Sequence, residues 1–220
     1  MGFKRFVPLL AFAALALFAA GCGGDDGGDK TAAAGECKAV EQPAPKNVKL
    51  SKPTEKLSAD QTYTILFKTN CGDFTVELDQ KNNPKTAASF KHIADEGLYD
   101  NTWFHRIIPE FVIQGGDPLG TGTGDAGYRV EEKPKGEYKT GTIAMAKAGD
   151  EPAGTSSSQF FVIIGAQGES LTPEYAVAGK VVDGMDTVME IAAFGDPNDT
   201  SGAGTPVGTA LVYSAKSSQE

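Results

Sequence analysis

The chain reads FHRIIPEFVIQGGD from Phe104 to Asp117. Two polar side chains in this stretch, Arg106 and Gln114, stand among apolar ones. A cation and an amide set against an apolar surface are typical of a groove that binds an apolar ligand through one polar handle. The plainer interpretation is a strand whose arginine points to solvent, and for an isolated arginine it would be the better choice. The surrounding sequence decides between the two.

The sequence around this stretch has the pattern of short strands separated by turns. Alternating apolar and polar residues predict a β-hairpin over residues 63–78. Asn83-Pro84 supplies a helix cap and a proline at the first helical position, and the apolar spacing predicts a helix as far as Leu98. A second helix is predicted over residues 185–193. Further strands are predicted at 104–108, 111–114, 142–145, 160–164, 177–182 and 210–214. This pattern indicates a mainly β fold, a closed or nearly closed barrel with helices at its open ends.

The stretch 104–117 resembles the signature of the cyclophilin-type peptidyl-prolyl cis/trans isomerases, F-H-R-I-I-P-x-F-x-x-Q-G-G-D, at every fixed position. Four later blocks agree with the family in order and spacing: GTGTG at 120–124, GTIAMA at 141–146, SQFFVI at 158–163 and AGKVVDGM at 178–185. The resemblance implies a closed eight-stranded antiparallel β-barrel capped by two α-helices. It also implies isomerase activity on X-Pro bonds, with no cofactor and no metal.

By this resemblance, Arg106 is the catalytic residue, and Gln114 holds the substrate carbonyl and orients the arginine. An X-Pro amide resists rotation because its nitrogen shares a lone pair with the carbonyl, which gives a barrier of about 18–20 kcal/mol. When the bond twists, the nitrogen regains the lone pair and can accept a hydrogen bond from a fixed guanidinium. The expected catalysis is therefore selective stabilisation of the twisted amide.

The resemblance also implies a substrate-binding surface around the arginine. The pocket for the proline ring is expected to consist of Phe111, Val112, Phe161 and Leu171. The main chain and the residues before proline would meet Gly122, Ala146, Lys147 and Gln159. Lys147 replaces a family asparagine that acts through its backbone, and Tyr175 takes the position of a pocket histidine. These departures put the specificity of the pocket edge in doubt.

Residues 1–21 have the pattern of an export signal. Lys4 and Arg5 precede an apolar run of 15 residues that ends at Ala20, shorter than the roughly 20 residues of a membrane-spanning helix. The run ends in FAAGC, which resembles a bacterial lipobox. We therefore expect a lipoprotein signal peptide whose removal leaves Cys22 as the lipidated N-terminus. An ordinary signal peptide or an uncleaved short anchor is the alternative.

The rest of the chain divides by composition. Residues 22–58 are rich in Gly, Asp and Pro and predict a flexible tether. Residues 59–216 would form the isomerase domain, and residues 217–220 a polar tail. We expect a monomer on the extracytoplasmic face of the cell membrane, anchored through its N-terminal lipid. Its partners would be proline-containing unfolded or exported polypeptides.

The net charge of the mature chain limits the classes of partner that it can bind. Without the signal peptide the chain carries 18 basic residues against 29 acidic ones, a net charge near −11. This charge argues against nucleic acid as a partner, and it leaves membrane attachment to acyl chains rather than to a basic patch.

Two cysteines remain besides Cys22. An even pair outside the cytosol suggests a disulfide between Cys37 and Cys71, which would join the tether to the first hairpin. Two free thiols are the alternative.

Other functional classes find little support in the sequence. The glycines at 120–124 are followed by no Gly-Lys-Ser/Thr, which argues against a phosphate loop. The only histidines are His92 and His105, and there is no Gly-x-Ser-x-Gly elbow, which argues against a serine hydrolase. The serious rival is a scaffold or holdase of the same fold that binds proline-containing segments without turnover; the intact Arg106 and Gln114 favour catalysis.

Overall fold

The structure is a computed structural model that describes residues 1–2 and 37–220. The described residues form three helices: α1 Pro84–Asp95, α2 Ala166–Glu169 and α3 Met185–Ala192. They also form eleven strands: β1 Tyr63–Thr69, β2 Gly72–Leu78, β3 Thr102–Trp103, β4 Arg106–Ile108, β5 Val112–Gly115, β6 Val130–Glu131, β7 Thr142–Met145, β8 Thr155–Ser156, β9 Phe160–Ile163, β10 Val177–Asp183 and β11 Leu211–Gln219.

Nine of these strands form one curled antiparallel sheet in the order β3-β11-β1-β2-β10-β7-β9-β5-β4. The expectation of a closed eight-stranded barrel is wrong, because this sheet has nine strands and its end strands, β3 and β4, form no ladder with each other in the described part of the chain. The edge of β4 meets a loop instead, since the amide of Ile107 donates to the carbonyl of Gly204 at 2.7 Å. The sheet is therefore a half-barrel closed off by a loop.

The core lies between the concave face of the sheet and the helices. Phe160 on β9 is its centre, with ring centroids of four other aromatic residues between 5.3 and 6.0 Å away: Phe67, Phe90, Tyr99 and Phe104. The amphipathic helices α1 and α3 lie where the apolar spacing predicts them, and the short α2 is an addition. Across residues 1–2 and 37–220, no helix combines the length and apolar character that a bilayer span requires.

The C-terminal residues differ from the polar tail predicted for 217–220. Strand β11 pairs with β1 as far as Gln219, opposite Tyr63, and Glu220 exchanges two backbone hydrogen bonds of 3.0 Å with Thr62. This end of the strand is partly exposed, which suits the polar side chains of Ser217 and Ser218. The domain thus extends to the last residue of the sequence.

Residues 37–58, here called the strap, also differ from the predicted flexible tether. They have no regular secondary structure but lie against the domain. Three strap amides donate to domain carbonyls at 2.7–2.9 Å: Lys38 to Asn70, Lys46 to Pro118 and Leu50 to Ala126. Three apolar side chains of the strap pack on the core: Val48, Leu50 and Leu57. The Sγ atoms of Cys37 and Cys71 are bonded at 2.00 Å, which ties the start of the strap to the β1–β2 turn.

Candidate active site

Three neighbouring strands place the central side chains of the site in one row. Arg106 on β4 is opposite Gln114 on β5, and Gln114 is opposite Phe161 on β9. Directly opposed residues of paired strands project to the same face of a sheet. The register therefore brings the arginine, the amide and an aromatic ring together, as the sequence predicts.

The Arg106 guanidinium is supported on several sides. Its Nη1 donates to Gln114 Oε1 at 3.5 Å and its Nη2 to the carbonyl of Gly202 at 3.4 Å. Its Cζ lies 5.9 Å from the centroid of the Phe111 ring. Partial burial lowers the pKa of Arg106, although an arginine so placed stays a cation at neutral pH. The side chain is thus a hydrogen-bond donor held by two long polar contacts beside the Phe111 ring.

A chain of amides continues from the arginine to the glycine-rich loop. Gln114 Nε2 donates to Gln159 Oε1 at 3.0 Å. Gln159 Nε2 in turn donates to the carbonyls of Gly122 and Gly124, both at 2.9 Å. Both glutamine side chains therefore have their orientation set, and Gln159 links the arginine to the loop.

Asp117 organises that loop, a role that sequence reasoning missed. The carboxylate is buried and accepts three backbone N–H bonds, at 2.6–3.0 Å, from Leu119, Thr121 and Gly122. A Cβ at Gly124 would lie 1.9 Å from Asp117 Oδ1, so the close approach requires glycine there. The signal in the sequence was an aspartate three residues before the alternating glycines at 120, 122 and 124.

The pocket beside Arg106 has a volume of about 200 Å³ and is lined by both apolar and polar side chains. Nine residues line it, all of them named from the sequence: Arg106, Phe111, Val112, Gln114, Ala146, Lys147, Phe161, Leu171 and Tyr175. The rings of Phe161 and Tyr175 meet edge to face at a centroid distance of 5.2 Å. A proline ring is of the size and polarity that such a pocket accepts, with its nitrogen within reach of the guanidinium.

A second cavity of about 350 Å³ adjoins the pocket and shares three lining residues with it: Gln114, Ala146 and Lys147. The predicted residues Gly122 and Gln159 line this second cavity. Its remaining lining residues were missed from the sequence: Thr123, Gly124, Asp125, Arg129, Ala148, Glu151 and Ser157. The structure thus brings every predicted catalytic and substrate-binding residue to these two cavities.

The predicted lipidation site, Cys22, lies outside the described residues.

Ion pairs form the outer wall of the second cavity. Asp125 Oδ1 lies 2.6 Å from Lys49 Nζ of the strap, and Asp125 Oδ2 lies 3.1 Å from Arg129 Nη1. Arg129 Nε donates to Glu151 Oε1 at 2.6 Å. Partial burial would raise the pKa of Asp125, but the bonds from Lys49, the Gly127 amide and Arg129 lower it to about 2. The strap therefore supplies the partner of one charged residue in this wall.

Replacing Lys49 with methionine is expected to raise the pKa of Asp125 toward its ordinary value of about 4, because one of the hydrogen bonds that favour the carboxylate is lost. An NMR titration of the Asp125 carboxyl carbon measures it. Lys52→Met, which changes another exposed lysine of the strap, is the control and should leave the pKa near 2. An unchanged titration in the Lys49 variant would contradict this assignment.

Replacing Gln159 with leucine should lower kcat/KM for X-Pro isomerisation by about fivefold to tenfold, since Gln114 then loses the acceptor that orients it. The matched control is Gln167→Leu, an exposed glutamine on α2 that lines neither cavity. Equal rates for Gln159→Leu and the wild type would show that the hydrogen bond between Gln114 and Gln159 does not contribute to catalysis.

The histidines do not form a metal site in the described residues, where no three His, Cys, Asp or Glu side chains are grouped for metal binding. His105 has both ring nitrogens buried without a hydrogen-bond partner in that same part of the chain. Burial lowers its pKa, so its ring is neutral at pH 7.

Comparison with known proteins agrees with this geometry. The cyclophilin type peptidyl-prolyl cis-trans isomerase/CLD family matches residues 64–216. Peptidyl-prolyl cis-trans isomerase-like 1 of Aspergillus oryzae is 35% identical over 162 residues, which cover 71% of this chain and 96% of that protein. The spliceosome-associated protein CWC27 homolog of Danio rerio is 40% identical over 140 residues, which cover 60% of this chain but only 28% of that protein.

The fold of this chain is also similar to that of a solved structure. The crystal structure of a cyclophilin type peptidyl-prolyl cis-trans isomerase from Cryptosporidium parvum superposes with a TM-score of 0.64 at 30% identity, covering 71% of this chain and 98% of that one. The same enzyme was crystallised in the presence of the dipeptide Ala-Pro. The matched segment contains the whole row of Arg106, Gln114 and Phe161, and the chain belongs to the cyclophilin-type peptidyl-prolyl cis-trans isomerase family.

Proposed function

We propose that this protein isomerises X-Pro bonds in exported polypeptides, and that Arg106 stabilises the twisted amide. One observation carries the proposal: the Arg106 guanidinium, in contact with Gln114 and Gly202, lines a pocket of about 200 Å³ that also contains apolar side chains. The pocket would hold the proline ring, and the guanidinium would lie beside the ring nitrogen.

The preference for the twisted state follows from the chemistry of the amide. In the planar ground state the nitrogen lone pair is delocalised and is a poor hydrogen-bond acceptor. In the twisted state it is localised on nitrogen, so a donor at Arg106 gains energy only as the bond rotates. Because Gln114 and Gly202 already hold the guanidinium, little reorganisation is needed at that moment. No bond to the substrate needs to form or break.

Isomerisation of an X-Pro peptide by the wild-type protein tests this proposal, with the uncatalysed rate as the reference. Uncatalysed exchange takes tens to hundreds of seconds, so even modest acceleration is measurable by NMR exchange spectroscopy. Binding without acceleration would favour the holdase or scaffold instead.

Export as a lipoprotein is supported by two features. Residues 1–21 have the charge and apolar pattern of a signal peptide, and FAAGC at 18–22 resembles a lipobox. The bond between Cys37 and Cys71 fits an oxidising compartment, since cytosolic proteins rarely keep disulfides. We infer that the domain works on the extracytoplasmic face of the membrane, held by acyl chains on Cys22.

Mass spectrometry of the protein purified from the membranes of a bacterial host tests this inference. We expect a mature chain that begins at Cys22 and carries acyl chains, and a Cys22→Ser variant that carries none and leaves the membrane fraction. A wild-type chain that keeps residues 1–21 without acylation would contradict lipoprotein processing.

The spliceosome-associated relatives in Danio rerio and Xenopus laevis suggest another setting. The match covers only 28% and 27% of those proteins, so most of each relative has no counterpart in this comparison. The disulfide and the signal-like segment favour export over a nuclear role.

A further inference from the structure

Lys147 occupies an unusual place between the two cavities. It lines both the proline pocket and the second cavity, and its side chain is only 6% exposed. Lysine side chains are almost never buried without a strong partner. The environment of this ammonium group therefore points to a role in what the cavities bind.

The contacts of the Lys147 ammonium are long. Its Nζ lies 3.4 Å from Glu174 Oε2, whose side chain is 52% exposed, and 3.4 Å from the carbonyl of Ala148. Charge-assisted hydrogen bonds are usually about 2.7–2.9 Å long. The third neighbour is the ring of Tyr175, with its centroid at 5.8 Å. The ammonium is thus held in place by contacts weaker than a carboxylate of the substrate could make.

The position of this cation is set by the fold. The Tyr138 hydroxyl accepts from the amide of Tyr175 at 2.9 Å and donates to its carbonyl at 2.8 Å. Tyr175 also packs edge to face on Phe161. These contacts hold Tyr175, and with it the ring that lies beside the Lys147 ammonium.

The carboxylates that face the second cavity already have short partners. Glu151 accepts from Arg129 at 2.6 Å and from the amide of Ala148 at 2.8 Å. Asp125 accepts from Lys49 and Arg129. Arg129 keeps one terminal nitrogen, Nη2, without an acceptor among residues 37–220. Asp125 and Glu151 are therefore already paired at short distance, whereas Arg129 Nη2 and the Lys147 ammonium have no short acceptor among these residues.

We propose that Lys147, with Arg129 across the second cavity, selects substrates that carry an acidic side chain at one of the two positions before the proline. This inference rests on the proposed function, because the second cavity adjoins the proline pocket on the side of Gly122 and Gln159. A glutamate or aspartate there would bind Lys147 more closely than Glu174 does. The net charge of the mature chain, near −11, would repel such peptides at long range, but screening beyond about 8 Å at physiological ionic strength leaves the short-range pair dominant.

Three peptides that differ only in the second residue before proline, as Glu, Gln or Lys, test the proposal, and a second series varies the residue directly before proline. We expect kcat/KM to be about fivefold higher for Glu than for Lys in at least one series, as for a partly exposed ion pair. In Lys147→Met this ratio should fall to about one, and in Lys147→Arg it should persist. Lys180→Met removes the same charge from an exposed site that lines neither cavity and should keep the wild-type ratio.

Peptide binding is measured in parallel by NMR titration, which separates two kinds of failure. If no peptide is isomerised, the proposed function fails, and the order of affinities still decides whether Lys147 selects acidic peptides. If the wild type shows no preference for Glu in either series, or if Lys147→Met keeps the preference with an intact amide spectrum, the inference is wrong.

Discussion

Arg106→Ala is expected to lower kcat/KM for X-Pro isomerisation by about 100- to 1000-fold, the usual effect of removing one donor aimed at a transition state. The loss should appear in kcat, because the guanidinium meets a good acceptor only when the amide is twisted. Peptide affinity should change little, since the apolar pocket formed by Phe111, Phe161 and Leu171 remains. NMR exchange spectroscopy gives the rate, and a chemical-shift titration gives the affinity.

A second variant, Arg106→Lys, tests whether the charge alone is sufficient. Arg106→Lys keeps the charge but loses the forked donor that contacts Gln114 and Gly202, so it should recover only a small part of the rate. Strand β4 pairs with β5 through backbone atoms, so neither variant should unfold the domain. An alanine variant that keeps more than about a tenth of the wild-type rate would mean that catalysis does not depend on this donor.

Removing the bond between Cys37 and Cys71 is expected to lower the free energy of unfolding by about 3–4 kcal/mol. The bond closes a loop with a sequence separation of 34 residues, which restricts the unfolded chain. Cys37→Ala is the preferred variant because it keeps the buried Cys71 in the core. Chemical denaturation of the oxidised wild type and of the variant gives the difference.

Reduction provides the control for this experiment. A thiol reductant should destabilise the wild type by a similar amount and leave Cys37→Ala unchanged, because that variant has no bond to break. Freed at Cys37, the strap should also exchange its amide hydrogens faster, notably at Lys38, which is bonded to Asn70. Identical unfolding curves for the oxidised and reduced wild type would show that the bond does not stabilise the fold.

The sequence alone was sufficient for the centre of the site. Strand alternation and the stretch 104–117 predict that Arg106 and Gln114 face an apolar surface, and the resemblance adds Phe161 and Leu171. The structure brings Arg106, Gln114 and Phe161 together because they lie on neighbouring strands, where a period of two assigns each side chain to a face. The helices α1 and α3 were predictable for a similar reason, since apolar spacing and a proline at the helix start are local signals.

Tertiary structure decided the sheet closure, the course of the strap and the wall of the second cavity. Whether β4 meets β3 depends on the loop at Gly204, which no local pattern reveals. The Gly- and Pro-rich composition predicts a flexible tether, yet the strap is held by a disulfide and by Lys49 on Asp125. Such contacts join residues 34 and 76 positions apart, so only the folded chain brings them together. The sequence by itself determined which residues form the centre of the candidate site, and the long-range packing decided which charges surround it.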